Sequence, residues 1–113
     1  MKDAPKFFIC KHCGNVAEKL VDSGVPMICC GEPMEEMKAN TTDAAQEKHV
    51  PVVTVSGNEI SVQVGSVLHP MLPEHHIGWI WLDTKLGGCR RSLTTDDEPK
   101  AVFTLAPGDE AIA

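Results

Sequence analysis

Four cysteines lie close together in the first third of the chain, at a spacing that suits metal binding. They form a Cys-x-x-Cys-Gly segment and a Cys-Cys-Gly segment: Cys10, Cys13, Cys29 and Cys30. A glycine follows each pair, and because glycine takes positive φ without steric cost, each turn can aim its sulfurs at one centre. Four thiolates suit a tetrahedral iron or zinc site, and ligand softness does not separate these two metals.

The adjacent pair departs from the repeated Cys-x-x-Cys pattern of structural zinc sites. Neighbouring side chains of an extended chain point to opposite sides, so Cys29 and Cys30 share a metal only if the backbone bends sharply. Gly31 permits that bend, and we predict a four-sulfur site of distorted tetrahedral geometry. Two disulfides, buried free thiols and a ligand role for His12 are the alternatives that the spacing leaves open.

Histidines form the second group of candidate ligands. Four of the five fall within residues 49–76: His49, His69, His75 and His76. Neutral imidazoles suit iron, zinc or copper, and three prolines stiffen the loops that carry them: Pro51, Pro70 and Pro73. Spacing alone leaves a histidine metal site and ordinary solvated histidines as equal alternatives. His75 and His76 do not easily face one ion if a strand begins there, because consecutive side chains diverge.

The elements that must position these groups change in character along the chain. Residues 1–38 hold few large apolar side chains, and a segment of that length rarely folds by hydrophobic burial alone. After them, Asp43 and Gln46 favour a short helical turn that ends by His49. Later apolar runs predict strands over residues 50–55, 60–64, 77–83, 89–93 and 101–105. Turns are predicted at Gly57-Asn58 and Gly87-Gly88. We therefore predict two domains, residues 1–38 and 39–113, the second an antiparallel sandwich or small barrel.

Composition excludes several classes of function. The 113 residues include 10 basic and 16 acidic side chains, for a net charge of −6, and such a surface repels nucleic-acid phosphates. The longest apolar run, residues 77–82, is far shorter than the roughly 20 residues that cross a bilayer. The first residues lack the apolar core of a signal peptide, so we expect a cytoplasmic chain without a membrane segment.

The motifs resemble those of the desulfoferrodoxins, a family of two-iron superoxide reductases. The Cys-x-x-Cys-Gly-Asn segment from Cys10 and the later Cys-Cys-Gly resemble the desulforedoxin domain. The segments Glu-Lys-His-Val-Pro from Glu47 and His-Pro-Met-x-x-x-His from His69 resemble the catalytic domain, and the resemblance spans nearly the whole chain in order. It implies a mainly β chain, with a small desulforedoxin (rubredoxin-like) domain followed by an immunoglobulin-like antiparallel β-sandwich.

The resemblance implies two iron sites. One iron is held by the four cysteines. The other is a catalytic, mononuclear non-haem iron, and His49, His69 and His75 match three of its four equatorial histidines. In such a site Glu47 covers the open position of the oxidised iron, and Lys48 attracts the substrate.

The family's fourth histidine and axial cysteine come from a Cys-Asn-x-His motif that would follow Ala113. We expect the natural chain to continue into that motif; the alternative is a homologue with an incomplete catalytic iron. Cys89 is interpreted as a free thiol and not as the axial ligand. His76 stands where the family often has tyrosine and is not counted among the ligands.

The resemblance implies one-electron reduction of superoxide to hydrogen peroxide. Because that reaction consumes electrons, it also implies a donor such as rubredoxin, and pairing of the small domains implies a homodimer. Two other functions stay open: a non-catalytic iron–thiolate electron carrier, and a zinc-stabilised interaction domain whose histidines are ordinary surface groups.

Overall fold

The computed structural model describes residues 3–38 and 50–113, which belong to two compact units. We call residues 3–38 the thiolate unit and residues 50–113 the sandwich unit. Every helix or strand within these two ranges is a β-strand, which confirms the prediction of a mainly β chain. None of the described residues forms a helix with the length and apolar character that crossing a membrane requires. The helical turn predicted near Asp43 lies outside the described residues.

Five short strands make up the thiolate unit: β1 (Lys6–Ile9), β2 (Val16–Lys19), β3 (Ile28–Cys29), β4 (Glu32–Pro33) and β5 (Glu35–Met37). The first is the centre of a three-stranded antiparallel sheet with order β2-β1-β5, and β3 pairs with β4 in a separate hairpin. Cys10 is the one residue of this described range that is buried. Burial of apolar side chains therefore contributes little to the stability of this unit.

A carboxylate closes the loop after β2. Asp22 accepts hydrogen bonds from the Gly24 backbone N–H at 2.9 Å, from Lys6 Nζ at 3.0 Å and from Lys19 Nζ at 3.1 Å. These donors, the Gly24 N–H first among them, hold the pKa of the Asp22 carboxyl well below its usual range. The same lysine, Lys19, also donates to the Val25 carbonyl at 2.8 Å. Two hydrogen-bonded contacts of Lys19 therefore connect the loop to the end of β2.

The sandwich unit has five longer strands: β6 (Pro51–Ser56), β7 (Glu59–Val64), β8 (Trp79–Thr84), β9 (Gly87–Ser92) and β10 (Lys100–Thr104). One antiparallel sheet has the order β10-β7-β6, and a second consists of β8 and β9. Residues 111–113 run beside β8, where the Asp83 N–H donates to the Ala113 carbonyl at 2.7 Å and Ala111 forms a bridge with Thr84.

Both sheets contribute to one hydrophobic core. The core consists of eight buried apolar residues: Ile60, Val62, Val64, Ile80, Leu82, Ala101, Phe103 and Leu105. Along β7 buried and more exposed residues alternate, as the two-residue period of a strand requires. Phe103 and Leu82 are the largest side chains that are fully enclosed. The predicted antiparallel sandwich is confirmed.

Two predicted turns have different outcomes. Ser56 pairs with Glu59 across Gly57-Asn58, and Gly57 has a φ of +61°, so this hairpin turn is confirmed. The predicted Gly87-Gly88 turn is wrong, because both glycines lie in β9 and the chain reverses between Thr84 and Gly87. A Cβ on Gly88 would stand 2.4 Å from the nearest ring atom of Trp81. Glycine is needed there because the indole packs against the backbone.

Candidate metal centre

The first cysteine pair lies in a tight turn after β1. The Cys10 N–H donates to the Asn15 carbonyl at 2.9 Å, and the Gly14 N–H donates to the Cys10 carbonyl at 2.9 Å. Gly14 has a φ of +82°, as predicted for a glycine after this pair. The Cys13 N–H points at Cys10 Sγ from 3.5 Å, so the backbone of the turn itself stabilises a thiolate at Cys10.

The adjacent pair lies in the hairpin between β3 and β4. Cys29 pairs with Glu32, which leaves Cys30 and Gly31 as a two-residue loop with φ values of +51° and +76°. Two central residues with positive φ are typical of a type I′ hairpin turn. The bend predicted for Gly31 is therefore shared by Cys30, which adopts a left-handed conformation costly for a residue with a Cβ. Nothing in the Cys-Cys-Gly spacing had indicated this.

These two turns bring the four predicted cysteines together. Their sulfur atoms all lie within 4.8 Å of one another, and Cys13 Sγ is 3.6 Å from Cys29 Sγ. Four thiolates around one ion, with metal–sulfur distances of about 2.3 Å, have their sulfurs about 3.8 Å apart. All five cysteines of the described ranges are free thiols, so the structure does not support the disulfide alternative. The cluster fits an iron site.

The electrostatics of the cluster show why it suits a cation. The Cys13 N–H lowers the pKa of Cys10 to about 6. In contrast, hydrogen bonding with Cys13 and then Cys10 raises the pKa of Cys30 to about 12, and contact with Cys13 raises the pKa of Cys29. Thiolates this close together resist joint ionisation until a cation neutralises them. Metal uptake by this cluster therefore releases protons and weakens as the pH falls.

Two polar side chains adjoin the cluster. Asn15 Nδ2 donates to Cys29 Sγ at 3.6 Å, which favours the thiolate form of Cys29. His12 directs its Nε2 to Glu32 Oε2 at 3.1 Å and is not a member of the sulfur cluster. The structure therefore gives no support to a ligand role for His12.

Two predicted histidine ligands come together in the sandwich unit. The rings of His69 and His75 have centroids 4.6 Å apart and are tilted by 47°. His69 is buried, with 3% of its surface exposed, and its Nδ1 lies 2.7 Å from the Pro70 carbonyl oxygen. Because a carbonyl oxygen only accepts, Nδ1 carries the proton and Nε2 keeps its lone pair. Nε2 is therefore the ring nitrogen of His69 that has the chemistry of a metal ligand.

The other residues singled out by the sequence have different placements. Glu47, Lys48 and His49 lie outside the described residues. Cys89 is half-buried against the sandwich core, and burial raises the pKa of its thiol. That position fits its interpretation as a free thiol. His76 follows the turn that His75 closes, and its Nδ1 lies 3.0 Å from the Leu72 carbonyl oxygen, a contact that the sequence pattern had not indicated.

Together these features define a mainly β protein with a four-cysteine cluster that fits iron and a β-sandwich that carries paired histidines. The desulfoferrodoxin family profile matches residues 41–113. Desulfoferrodoxin from Nitratidesulfovibrio vulgaris is 42% identical over 113 residues, which are 100% of this chain and 89% of that protein. Its counterpart from Clostridium acetobutylicum is 46% identical over 106 residues, covering 91% and 82% of the two chains. The chain belongs to the desulfoferrodoxin family.

A solved structure extends this similarity to the fold. The crystal structure of the superoxide reductase from Treponema pallidum matches with a TM-score of 0.82 and 34% sequence identity. The match covers 99% of this chain and 88% of the other. The fold is therefore shared over nearly the whole chain.

Proposed function

We propose that this protein is a superoxide reductase. It reduces superoxide to hydrogen peroxide at an iron held by histidines of the sandwich unit, and it carries a second iron in the thiolate unit. The observation that carries the proposal is the pairing of His69 and His75 at 4.6 Å in a chain of the desulfoferrodoxin family. The similar fold of the Treponema pallidum superoxide reductase supports it.

The spacing of the two rings supports a shared ion. Imidazoles at right angles around one ion, with metal–nitrogen distances of about 2.1 Å, have ring centroids about 4.5 Å apart. The observed centroid separation of 4.6 Å agrees with that arrangement. His49, which lies two residues before the start of β6 in the chain, is the third histidine of the proposed set. The domain boundary proposed from the sequence, between residues 38 and 39, assigns all three to the second domain.

The proposed reaction is balanced by one electron and two protons. Bound ferrous iron would supply the electron, and superoxide with two protons then yields hydrogen peroxide. An external donor must restore that electron, and we propose rubredoxin or a similar small electron-transfer protein. The family resemblance also underlies the proposal that the protein forms a homodimer, and the cytoplasmic location stays a prediction from the sequence.

Two charged residues have roles in the proposed mechanism. Lys48 provides a local positive charge for an anionic substrate on a chain whose net charge is −6. Glu47 would cover the open position of the oxidised centre once superoxide has been reduced, and would thereby displace the peroxide product. Both roles follow from the resemblance of the Glu-Lys-His-Val-Pro segment to the family's catalytic motif.

Metal analysis and superoxide kinetics test the proposal. We expect two irons per chain, and decay of superoxide that forms peroxide without releasing oxygen. His75→Ala should lose the histidine-bound iron and the activity while the colour of the iron–thiolate site persists, and His12→Ala should keep both irons. A single iron in the unmodified protein would favour the electron-carrier alternative. Two irons and full activity in His75→Ala would refute the ligand assignment.

Substitution of Lys48 tests the steering role separately. Lys48→Ala should slow the second-order reaction with superoxide and weaken its dependence on ionic strength, because salt screens an attraction that the variant no longer has. Lys85→Ala removes one positive charge elsewhere in the sandwich unit and is the matched control. Equal rates and equal salt dependence in the two variants would remove Lys48 from the mechanism.

A further inference from the structure

We propose that His76 is a positioning residue, whose imidazole holds the turn that presents His75 to His69. We call this support the His76 brace, and it rests on hydrogen bonds within residues 71–77. Its consequence for iron rests on the function proposed above. His76 itself is not placed among the ligands.

The turn that carries His75 is short and exposed. The Leu72 N–H donates to the His75 carbonyl at 2.9 Å, and the His75 N–H donates to the Leu72 carbonyl at 3.0 Å. Pro73 follows Leu72 and pre-sets its own φ for a turn. Residues 72–76 are all exposed, so water competes for these hydrogen bonds. A third contact at the same place therefore matters to how well the turn is held.

His76 supplies that contact. Its Nδ1 lies 3.0 Å from the Leu72 carbonyl oxygen, which can only accept, so Nδ1 is the donor. The same oxygen accepts from the His75 N–H, and both of its lone pairs are then used. The His75 backbone and the His76 side chain thus converge on one atom at the start of the turn.

A further hydrogen bond closes the segment outside the turn. The Ile77 N–H donates to Met71 Sδ at 3.4 Å, which joins the residue before the turn to the start of the approach to β8. The ring of His69 is held separately, by its hydrogen bond to the Pro70 carbonyl. The His69 ring is therefore held by its own hydrogen bond to backbone, whereas His75 is held through its main chain, and His76 acts on that segment.

The position of the donor within the side chain explains why histidine suits this place. Nδ1 is bonded directly to Cγ and reaches a carbonyl four residues earlier in the chain. The Nδ2 of asparagine is also bonded to Cγ and can replace it. Phenylalanine has no donor, and tyrosine carries its hydroxyl at the far end of the ring. We therefore expect asparagine to donate this hydrogen bond in place of His76, and we expect phenylalanine and tyrosine not to do so.

Amide exchange and histidine tautomers measured by NMR on the zinc-loaded protein test the brace without any activity assay. We expect the Nδ1–H tautomer at His76. In His76→Phe and His76→Tyr the His75 amide should exchange about fivefold faster, the effect of losing one ordinary hydrogen bond. His76→Asn should exchange at the original rate, and His12→Phe is the control. Unchanged exchange in His76→Phe, or an Nε2–H tautomer at His76, would overturn the inference.

Titration with ferrous ion tests the consequence at the metal. His76→Phe should weaken iron binding at the histidines roughly tenfold, as expected when a group that orients a metal-bound histidine is lost. His76→Asn should restore the affinity, and the thiolate site should keep its iron throughout. If His75→Ala also binds iron normally, the proposed function fails while the exchange measurement still decides the brace. Normal affinity in His76→Phe, with a deficit in His75→Ala, would overturn the positioning role.

Discussion

The two units of this chain are stabilised in different ways. In the thiolate unit the one buried residue is Cys10, itself a member of the sulfur cluster. The sandwich unit has eight buried apolar residues, and the exposed turn that carries His75 lies outside that core. In the first unit the candidate ligands take the place of a core. In the second a core built from other residues supports the candidate ligands.

Removal of the metal should show the largest difference in stability between the two units. Binding to a thiolate site contributes about 10 kcal/mol or more to the folding of small metal-dependent domains. We therefore expect an iron chelator to abolish the dispersed NMR signals of residues 3–38 and to leave those of β7, β8 and β10 in place. If the thiolate unit stays folded without metal, its sheet is more stable than its burial indicates.

Truncation of the largest core side chain should have the converse effect. Phe103→Ala should destabilise the sandwich unit by about 3–5 kcal/mol, because it leaves a cavity in a packed core, while the absorption of the iron–thiolate site persists. Val102→Ala is the control, since Val102 is 48% exposed on the same strand. Urea unfolding followed by tryptophan fluorescence measures both variants. Equal midpoints would contradict the assignment of Phe103 to the core.

A methyl group at Gly88 should lower the free energy of unfolding by less than truncation of Phe103 does. Gly88→Ala places a Cβ 2.4 Å from a Trp81 ring atom, and relief of such an overlap typically costs about 1–3 kcal/mol. The neighbouring Gly87→Ala meets no atom within 4 Å and is the matched control. Thermal unfolding of the two variants should therefore differ. Equal melting temperatures would show that the indole moves aside freely.

Asp22 should give the smallest effect on stability, one that is constant near neutral pH and is lost only in acid. Its pKa is lowered in the folded protein, so its stabilisation is complete above the unfolded value of about 4 and is lost as the pH falls toward the lowered one. Asp22→Asn should thus destabilise the zinc-loaded thiolate unit by a constant amount between pH 5 and 8. Asp96→Asn, in the other unit, should leave it unchanged. If the loss of stability in Asp22→Asn disappeared between pH 5 and 8, the lowered pKa of Asp22 would be contradicted.

Much of the fold could be predicted from local pattern, and the exceptions have identifiable causes. Alternating apolar residues in β7 and the Gly57-Asn58 turn indicated their hairpin, because strand period and turn chemistry are both local properties. The glycine pair in β9 was misassigned as a turn because the requirement for glycine at Gly88 comes from the Trp81 ring of the neighbouring strand. Sequence pattern does not indicate which ring will lie against a given backbone position.

The candidate metal ligands also have some features that the sequence predicts and others that only the folded structure shows. The amino-acid sequence by itself determined the ligand types, the spacing within each turn and the glycines that follow, since these depend on a few consecutive residues. Tertiary structure alone decided that sulfurs 19 residues apart meet, as Cys10 and Cys29 do, and that Cys30 takes a left-handed conformation. It also decided that His76 reaches the Leu72 carbonyl. The meeting of the sulfurs depends on how separate segments fold back on one another, and the two local features depend on backbone geometry that the residue types leave open.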